Sequence, residues 1–138
     1  MNVLLDTCVI SELQHPKGSP KVKQRIAKID EDALFLSALS VGEIAKGIGL
    51  MAPGSRRQEL GDWLLQLEQD FASRILFIDN NVARLWGQLT ARAQLQGIVI
   101  PAADGLVAAT ALRHGLCLIT RNTRHFAHTG AQILDPWE

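Results

Sequence analysis

The sequence predicts an α/β protein with a central, mostly parallel sheet of about five strands. Two observations lead to this prediction. Short apolar runs suited to strands alternate along the chain with longer segments of helical spacing. The first run, 2–5, is also unbroken, as is typical of a central strand covered on both faces. Because 138 residues suit one compact unit and we find no repeat or linker, we expect a single domain over 1–138.

The segment that follows the first strand contains two predicted helices. Residues 7–14 form the first, which ends at His15-Pro16 because a residue before proline is disfavoured in the helical conformation. Residues 22–29 have helical spacing and form the second. The apolar segment 33–37 is then the second predicted strand.

The middle of the chain contains two more helices and a strand. A helix is predicted at 40–50, starting at Ser40, and Pro53-Gly54 breaks it. The segment 55–71 is amphipathic, with its apolar residues on one helical face. The third predicted strand is 75–78.

The last third repeats the alternation. A long helix is predicted at 80–96, and Gly97 ends it. Another helix is predicted at 101–114, followed by strands at 116–119 and 132–134. Parallel strands joined by helices account for the whole chain.

Composition restricts the class of protein. The chain is 47% hydrophobic and 20% charged, and no apolar run reaches the roughly 18–20 residues that span a bilayer. The N-terminus lacks a basic leader, so we expect a cytoplasmic protein without a membrane segment. Cys8 and Cys117 make no disulfide framework and are expected to be small buried residues. A net charge of zero is not typical of a general nucleic-acid binder, although basic residues cluster locally.

Two predicted helices, 55–71 and 80–96, have large apolar faces. Together these faces exceed the apolar surface that is needed to cover a small sheet. One contains Trp63 and the other Trp86. Residues at this spacing are typical of a core or a dimer interface rather than a cofactor site. We therefore expect a homodimer.

Polar residues lie where the predicted parallel strands end. Asp6 comes directly after the first strand, and Glu43 and Asp104 are each expected in the first turn of a helix that begins at this edge. Asn122 follows the strand 116–119 by a few residues. Since ligands of open α/β sheets bind beyond the carboxyl ends of the strands, we expect these four side chains to share one site.

Each of these residues also has a purely structural explanation. Asp6 is suited to cap the first helix, and Ser40 with Glu43 matches a capping box. Asp104 is favoured by the helix dipole, and Asn122 is suited to cap a turn at 123–127.

Together, the acids predict a metal site. Several carboxylates near one point either raise their pKa values or require a cation. Oxygen ligands without paired histidine or cysteine favour Mg²⁺ or Mn²⁺ over zinc. Such a cation lowers the pKa of bound water and assists phosphodiester cleavage.

Four segments in order along the chain carry a resemblance to a known family. They are LLDTCVISE at 4–12, the block from Leu36-Ser37 through Glu43 to Gly47, AADGLVAATA at 102–111 and LITRNTRHF at 118–126. The chain resembles the PIN-domain ribonucleases, in particular the VapC-type toxins, and the closing Asp135-Pro136-Trp137 is similar to the FitB-like branch.

The resemblance implies a compact α/β/α PIN fold, Mg²⁺- or Mn²⁺-dependent cleavage of tRNA or other structured RNA, and a homodimer. It also implies a small VapB-like antitoxin that blocks the acidic site and through which operator DNA is bound. By position, Asp6 and Asp104 would be the principal metal ligands, and Glu43 would complete the carboxylate set. Thr120 would lend a hydroxyl to the site.

The sequence departs from the family pattern at two positions. Asn122 stands where many members have a fourth aspartate, so it offers a neutral oxygen and cannot act as a base. Cys8 stands where the family commonly has asparagine, and a thiol cannot replace the hydrogen bonds of that amide.

These departures support an alternative function. The protein would then be a weakly active or inactive PIN-fold module that acts with its antitoxin on operator DNA. A phosphoryl-transfer enzyme of the haloacid-dehalogenase type and a receiver domain are both disfavoured. Each needs a second acidic residue near the first strand, and this residue is absent. No Gly-rich phosphate loop has the required spacing.

Overall fold

A computed structural model describes residues 1–138 as a sheet with helices on both faces. The strands are β1 Val3–Leu5, β2 Leu34–Ser37, β3 Ile75–Leu76, β4 Cys117–Ile119 and β5 Ile133–Leu134. The helices are α1 Thr7–Gln14, α2 Pro20–Ala27, α3 Ala38–Gly49, α4 Ser55–Asp70, α5 Asn80–Leu95, α6 Ala102–His114 and α7 Thr123–Phe126. Short 3₁₀ turns precede β2 at Glu31–Ala33 and β3 at Ala72–Arg74.

The sheet has the order β3-β2-β1-β4-β5, and every neighbouring pair is parallel. The predicted α/β class and five-strand sheet are therefore confirmed. β1 lies at the centre, where Val3 is paired with Leu34 on one side and with Cys117 on the other. The carboxyl ends of β1, β2 and β4 consequently meet at one edge.

Two hydrophobic cores cover the two faces of the sheet. Val3 and Leu5 pack with α1 and α2 on one face, whereas Leu4 packs with α6 and Phe126 on the other. Alternate residues of β1 thus point into different cores, and all three are 2% exposed or less. This packing explains the unbroken apolar run at the start of the chain.

Helix α5 lies outside α6 and packs against it. Leu89 and Ala93 of α5 form a third apolar cluster with Ala109 of α6. Trp86 packs against this cluster, and Trp63 of α4 packs against the core on the opposite face. Both tryptophans on which the dimer expectation rested therefore contact the core of their own chain.

Several predicted boundaries shift. Helix α2 begins at Pro20 rather than residue 22, because Ser19 caps it by accepting a hydrogen bond from the Val22 N–H. β3 has only two residues, since Phe77 and Ile78 leave the sheet. Cys117 is buried as expected, but Cys8 is only partly buried, because it lies beside Asp6 and Thr120 where the strands end. None of the helices combines the length and the hydropathy that a membrane span requires.

Candidate metal centre

Asp6 is the most firmly held residue of the site. It follows β1, caps α1 as predicted, and is only 8% exposed. Its Oδ1 accepts a hydrogen bond from the Thr7 N–H at 2.9 Å, and its Oδ2 accepts one from the Thr120 hydroxyl at 2.7 Å. The Cys8 thiol lies 3.7 Å from the same Oδ2. These donors fix the orientation of the carboxylate.

Thr120 links Asp6 to the end of β4. Its hydroxyl is completely buried, and it also accepts a hydrogen bond from the Asn122 N–H at 3.0 Å. Asn122 lies at the cap position of α7, but its exposed side chain makes no capping hydrogen bond. Asn122 is therefore tied to the site through its backbone.

The capping-box interpretation of Ser40 and Glu43 is wrong. β2 runs directly into α3, so the cap is Ser37, whose hydroxyl accepts a hydrogen bond from the Leu39 N–H at 3.1 Å. Glu43 consequently lies in the second turn of α3 rather than the first. Buried Ser40 and exposed Glu43 instead both face the Thr7 hydroxyl, at 2.9 Å each.

Asp104 lies in the first turn of α6, as predicted, and its side chain is 24% exposed. Its Oδ2 lies 3.5 Å from Nδ1 of His125, which belongs to α7. Burial raises the pKa of Asp104 above its usual range. The imidazole of His125 lowers this pKa, whereas the negative charges of Asp6 and Glu43 raise it further.

The structure thus brings Asp6, Glu43 and Asp104 near enough to affect ionisation within the group. They come from three different elements, each of which begins at the same edge of the sheet. Sequence reasoning missed Thr7 and His125 as neighbours of these acids. Thr7 lies in the segment 4–12 and His125 in the segment 118–126, both of which carry the family resemblance. Only the fold, however, brings Thr7 to Glu43 and His125 to Asp104.

The donor set suits a hard divalent cation. No group of three or more histidine, cysteine, aspartate or glutamate side chains is close enough to form a metal cage by itself. Mg²⁺ does not require one, because it is usually bound by one or two carboxylates and keeps several waters. Carboxylates in a buried place next to like charges also favour a bound cation. The residues present therefore fit such an ion.

Cys8 contributes a protonated thiol next to Asp6 and Thr120. Burial raises the pKa of Cys8, and the charge of Asp6 adds to this rise, although the backbone of Arg121 donates a hydrogen bond that opposes it. A thiol with a raised pKa remains a weak hydrogen-bond donor. It is therefore suited to support the Asp6 carboxylate rather than to act as a nucleophile.

The chain is similar to known proteins over almost its whole length. Residues 3–132 match the PIN domain family. The chain is 36% identical over 139 residues to Toxin FitB of Neisseria gonorrhoeae, covering 98% of each chain. It is 37% identical over 137 residues to VapC ribonuclease Y4jK of Sinorhizobium fredii, covering 99% of this chain and 98% of that one.

A solved structure agrees over the same length. A chain in the structure of FitAB bound to an IR36 DNA fragment superimposes with a TM-score of 0.93 and 34% identity. The match covers 99% of this chain and 96% of that one. On both the sequence and the fold, this chain belongs to the PIN domain family.

Proposed function

We propose that this protein is a divalent-metal-dependent endoribonuclease and the toxin of a toxin–antitoxin pair. The observation that carries the proposal is the placement of three carboxylates around one edge of the sheet, one at the cap of α1 and one each in α3 and α6. Two relatives that match the whole chain are named a toxin and a ribonuclease. We propose Mg²⁺ or Mn²⁺ as the cation and tRNA or other structured RNA as the substrate. Because such RNA is cytoplasmic, we propose that the protein acts in the cytoplasm.

The proposed roles follow from the contacts of each side chain. Asp6 and Asp104 hold the cation, and Glu43 completes the set directly or through water. A cation bound there would lower the pKa of a water molecule and would offset the negative charge of the scissile phosphate. Thr120 holds the Asp6 carboxylate in place through its 2.7 Å hydrogen bond. Asn122 offers a neutral oxygen at the rim.

Glu43 is the proposed general base. Its carboxylate is exposed, and the Thr7 hydroxyl lies beside only one of its oxygens. The other oxygen is free to orient the attacking water and to accept its proton. Asn122 cannot do this because an amide takes up no proton.

Calorimetric titration with Mn²⁺ tests the metal site. Wild type should bind, and Asp6→Asn should bind at least about 10-fold more weakly because one ligand charge is lost. Asp79→Asn is the matched control, since Asp79 also caps a helix, by accepting from the Val82 N–H at 2.9 Å, but this helix is α5 and not α1. Equal and negligible heats for wild type and Asp6→Asn would remove the metal site.

Growth and cleavage assays test the nuclease. Expression of the chain alone should arrest growth, and Asp104→Asn should not. Purified wild type with Mg²⁺ or Mn²⁺ should cut total tRNA, with the rate reduced about 100-fold or more in Glu43→Gln if Glu43 is the base. If wild type and Asp104→Asn were equally harmless and tRNA stayed intact, the proposed nuclease activity would be contradicted.

Operator DNA binding is a second candidate function. The observation that favours it is the FitAB complex on DNA, to whose chain this protein is similar over almost its full length. We propose that this chain binds DNA only through a VapB-like antitoxin, as a homodimer. Mobility-shift assays with and without the antitoxin, and sedimentation of the free chain, measure both properties. A shift by the chain alone would contradict the dependence on antitoxin.

A further inference from the structure

Asp104 has no hydrogen-bond donor that holds its side chain. Its one ion-pair partner is His125 at 3.5 Å, and that imidazole is itself 57% exposed. Asp6, by contrast, accepts short hydrogen bonds from Thr7 and Thr120. The position of the Asp104 carboxylate therefore depends on where the first turn of α6 is docked.

At the residue next to Asp104, α6 is docked closely against α5. Gly105 is buried, and its N–H closes the first turn by donating to the Pro101 carbonyl at 3.0 Å. A Cβ at this position would lie 2.8 Å from Cδ1 and 2.9 Å from Nε1 of Trp86, and 3.4 Å from Oγ1 of Thr90. The indole of α5 thus occupies the space that any side chain at residue 105 would need.

This contact is made by shape and not by hydrogen bonding. The Trp86 indole N–H and the Thr90 hydroxyl are both buried and have no hydrogen-bond partner. Buried polar groups are normally paired, so leaving two of them unpaired at one spot is costly. The close approach of the indole to the helix backbone is retained in spite of that cost.

We propose that Gly105 is a positioning residue of the acidic site. By letting Trp86 lie directly on the first turn of α6, it sets where the Asp104 carboxylate stands relative to Asp6. The inference rests on the proposed metal function, but it concerns a residue that touches neither metal nor substrate. An added methyl group must displace either the rigid indole or the helix turn that carries Asp104.

The chain offers a matched control. Gly42 is also helical and also adjoins a site acid, Glu43, but a Cβ added there meets nothing within 4 Å. Gly105→Ala and Gly42→Ala are therefore the same substitution beside two acids of one site. We expect Gly105→Ala to weaken Mn²⁺ binding by about 10-fold to 100-fold, as is usual when a group that positions a ligand is lost. Gly42→Ala should bind Mn²⁺ as wild type does and unfold at a higher urea concentration.

A rescue variant separates positioning from general damage. Trp86→Leu combined with Gly105→Ala replaces the rigid indole with a smaller side chain and should recover most of the lost Mn²⁺ affinity. If Gly105→Ala does not fold, the double variant decides alone: near-wild-type affinity supports the proposal. A folded Gly105→Ala with unchanged affinity, or a folded double variant without recovery, overturns it.

A second readout does not depend on the metal. The imidazole of His125 lies opposite Asp104 but is distant in sequence, so its NMR signals report the place of the carboxylate. In the metal-free chain, Gly105→Ala should shift these signals, Gly42→Ala should not, and the double variant should restore them. Unshifted His125 signals in Gly105→Ala would overturn the proposal. Absence of Mn²⁺ binding by wild type would instead contradict the proposed function, and the NMR comparison would still decide the role of Gly105.

Discussion

The two aspartates at the centre of the site are held in opposite ways. Asp6 is buried and accepts hydrogen bonds at both oxygens, from Thr7 at 2.9 Å and Thr120 at 2.7 Å. The Asp104 side chain is partly exposed, and its one ion-pair partner is the imidazole of His125 at 3.5 Å. One carboxylate is thus fixed by its donors, and the other is fixed by the docking of the helix that carries it.

This difference has an electrostatic consequence. Hydrogen bonds to a carboxylate stabilise its charged form, whereas burial without donors disfavours it. The pKa of Asp104 is accordingly raised, by burial first and then by its acidic neighbours, with His125 opposing the rise. Substitutions at Asp6 and its donors should therefore act mainly through lost hydrogen bonds. Substitutions at Asp104 and His125 should act mainly through the charge of the Asp104 carboxylate.

The largest effect is expected when the hydroxyl that donates to Asp6 is removed. Thr120→Val deletes the hydroxyl that donates to Asp6 and accepts from the Asn122 N–H. We expect Mn²⁺ affinity to fall by about 10-fold to 100-fold because the ligand loses its orienting partner. Calorimetric titration measures this fall.

The matched control for this change is Thr129→Val. The Thr129 hydroxyl is buried, donates to the Phe126 carbonyl at 2.7 Å and accepts from the Ala131 N–H at 3.3 Å. Each variant loses a buried hydroxyl that donates one hydrogen bond and accepts another from the N–H two residues later. Both should therefore lose about 1–3 kcal/mol of unfolding free energy. Only Thr120→Val should lose metal affinity, and a similar loss in Thr129→Val would mean that general destabilisation is the cause.

The sequence predicted the places of Asp6 and Asp104 because both follow directly from chain-local signals. An apolar run that ends in aspartate before a helical segment places Asp6 at a strand end, and Pro101 marks the start of the helix that carries Asp104. Parallel strands then deliver both residues to one edge. The α/β class and the five strands follow from the same alternation.

The parts that sequence reasoning missed depend on tertiary structure. Ser37 and Ser40 are equally good caps locally, and the choice falls on Ser37 because β2 pairs with β3 through Ser37 and Leu76 before the helix begins. The contact of Thr7 with Glu43 spans 36 residues along the chain, so no local pattern contains it. The close approach of Trp86 to Gly105 likewise requires the packing of α5 on α6.

Effects opposite in sign for the two acids are expected on the stability of the metal-free chain. Asp6→Asn keeps the capping oxygen but turns an amide donor towards the donors Thr120 and Cys8. The unfolding free energy should fall by about 1–3 kcal/mol because these groups lose their acceptor. Urea unfolding in the presence of a chelator measures this fall.

Asp104→Asn should instead stabilise the metal-free chain at neutral pH. The folded pKa of Asp104 is raised, so the protonated acid favours folding below its ordinary pKa of 3.8, and this contribution is lost as the pH rises through the folded pKa. Removing the charge should add less than about 1 kcal/mol, since the partly exposed carboxylate is screened by solvent. The gain should vanish in acid, and a gain that persists there would contradict the assigned cause.

A still smaller effect is expected from the partner of Asp104. His125→Ala removes an exposed neighbour and should change Mn²⁺ affinity by less than about fivefold, as exposed ion pairs contribute little. It should also raise the pKa of Asp104, because the imidazole lowers it. NMR titration of the Asp104 carboxyl measures the direction, and a lowered pKa would contradict the contact.

The smallest effect is expected at Cys8, although it departs from the family pattern. Its thiol lies 3.7 Å from both Asp6 Oδ2 and the Thr120 hydroxyl, distances at which a thiol donates only weakly. Cys8→Ala should therefore lower Mn²⁺ affinity by less than about threefold, because weak hydrogen bonds are second-order contributions. The raised pKa of Cys8 should also slow its alkylation by iodoacetamide relative to a free thiol at neutral pH, since less thiolate is present. A large loss of affinity in Cys8→Ala would show that the thiol, and not Thr120, holds Asp6, and would reverse the order of importance on that side of the site.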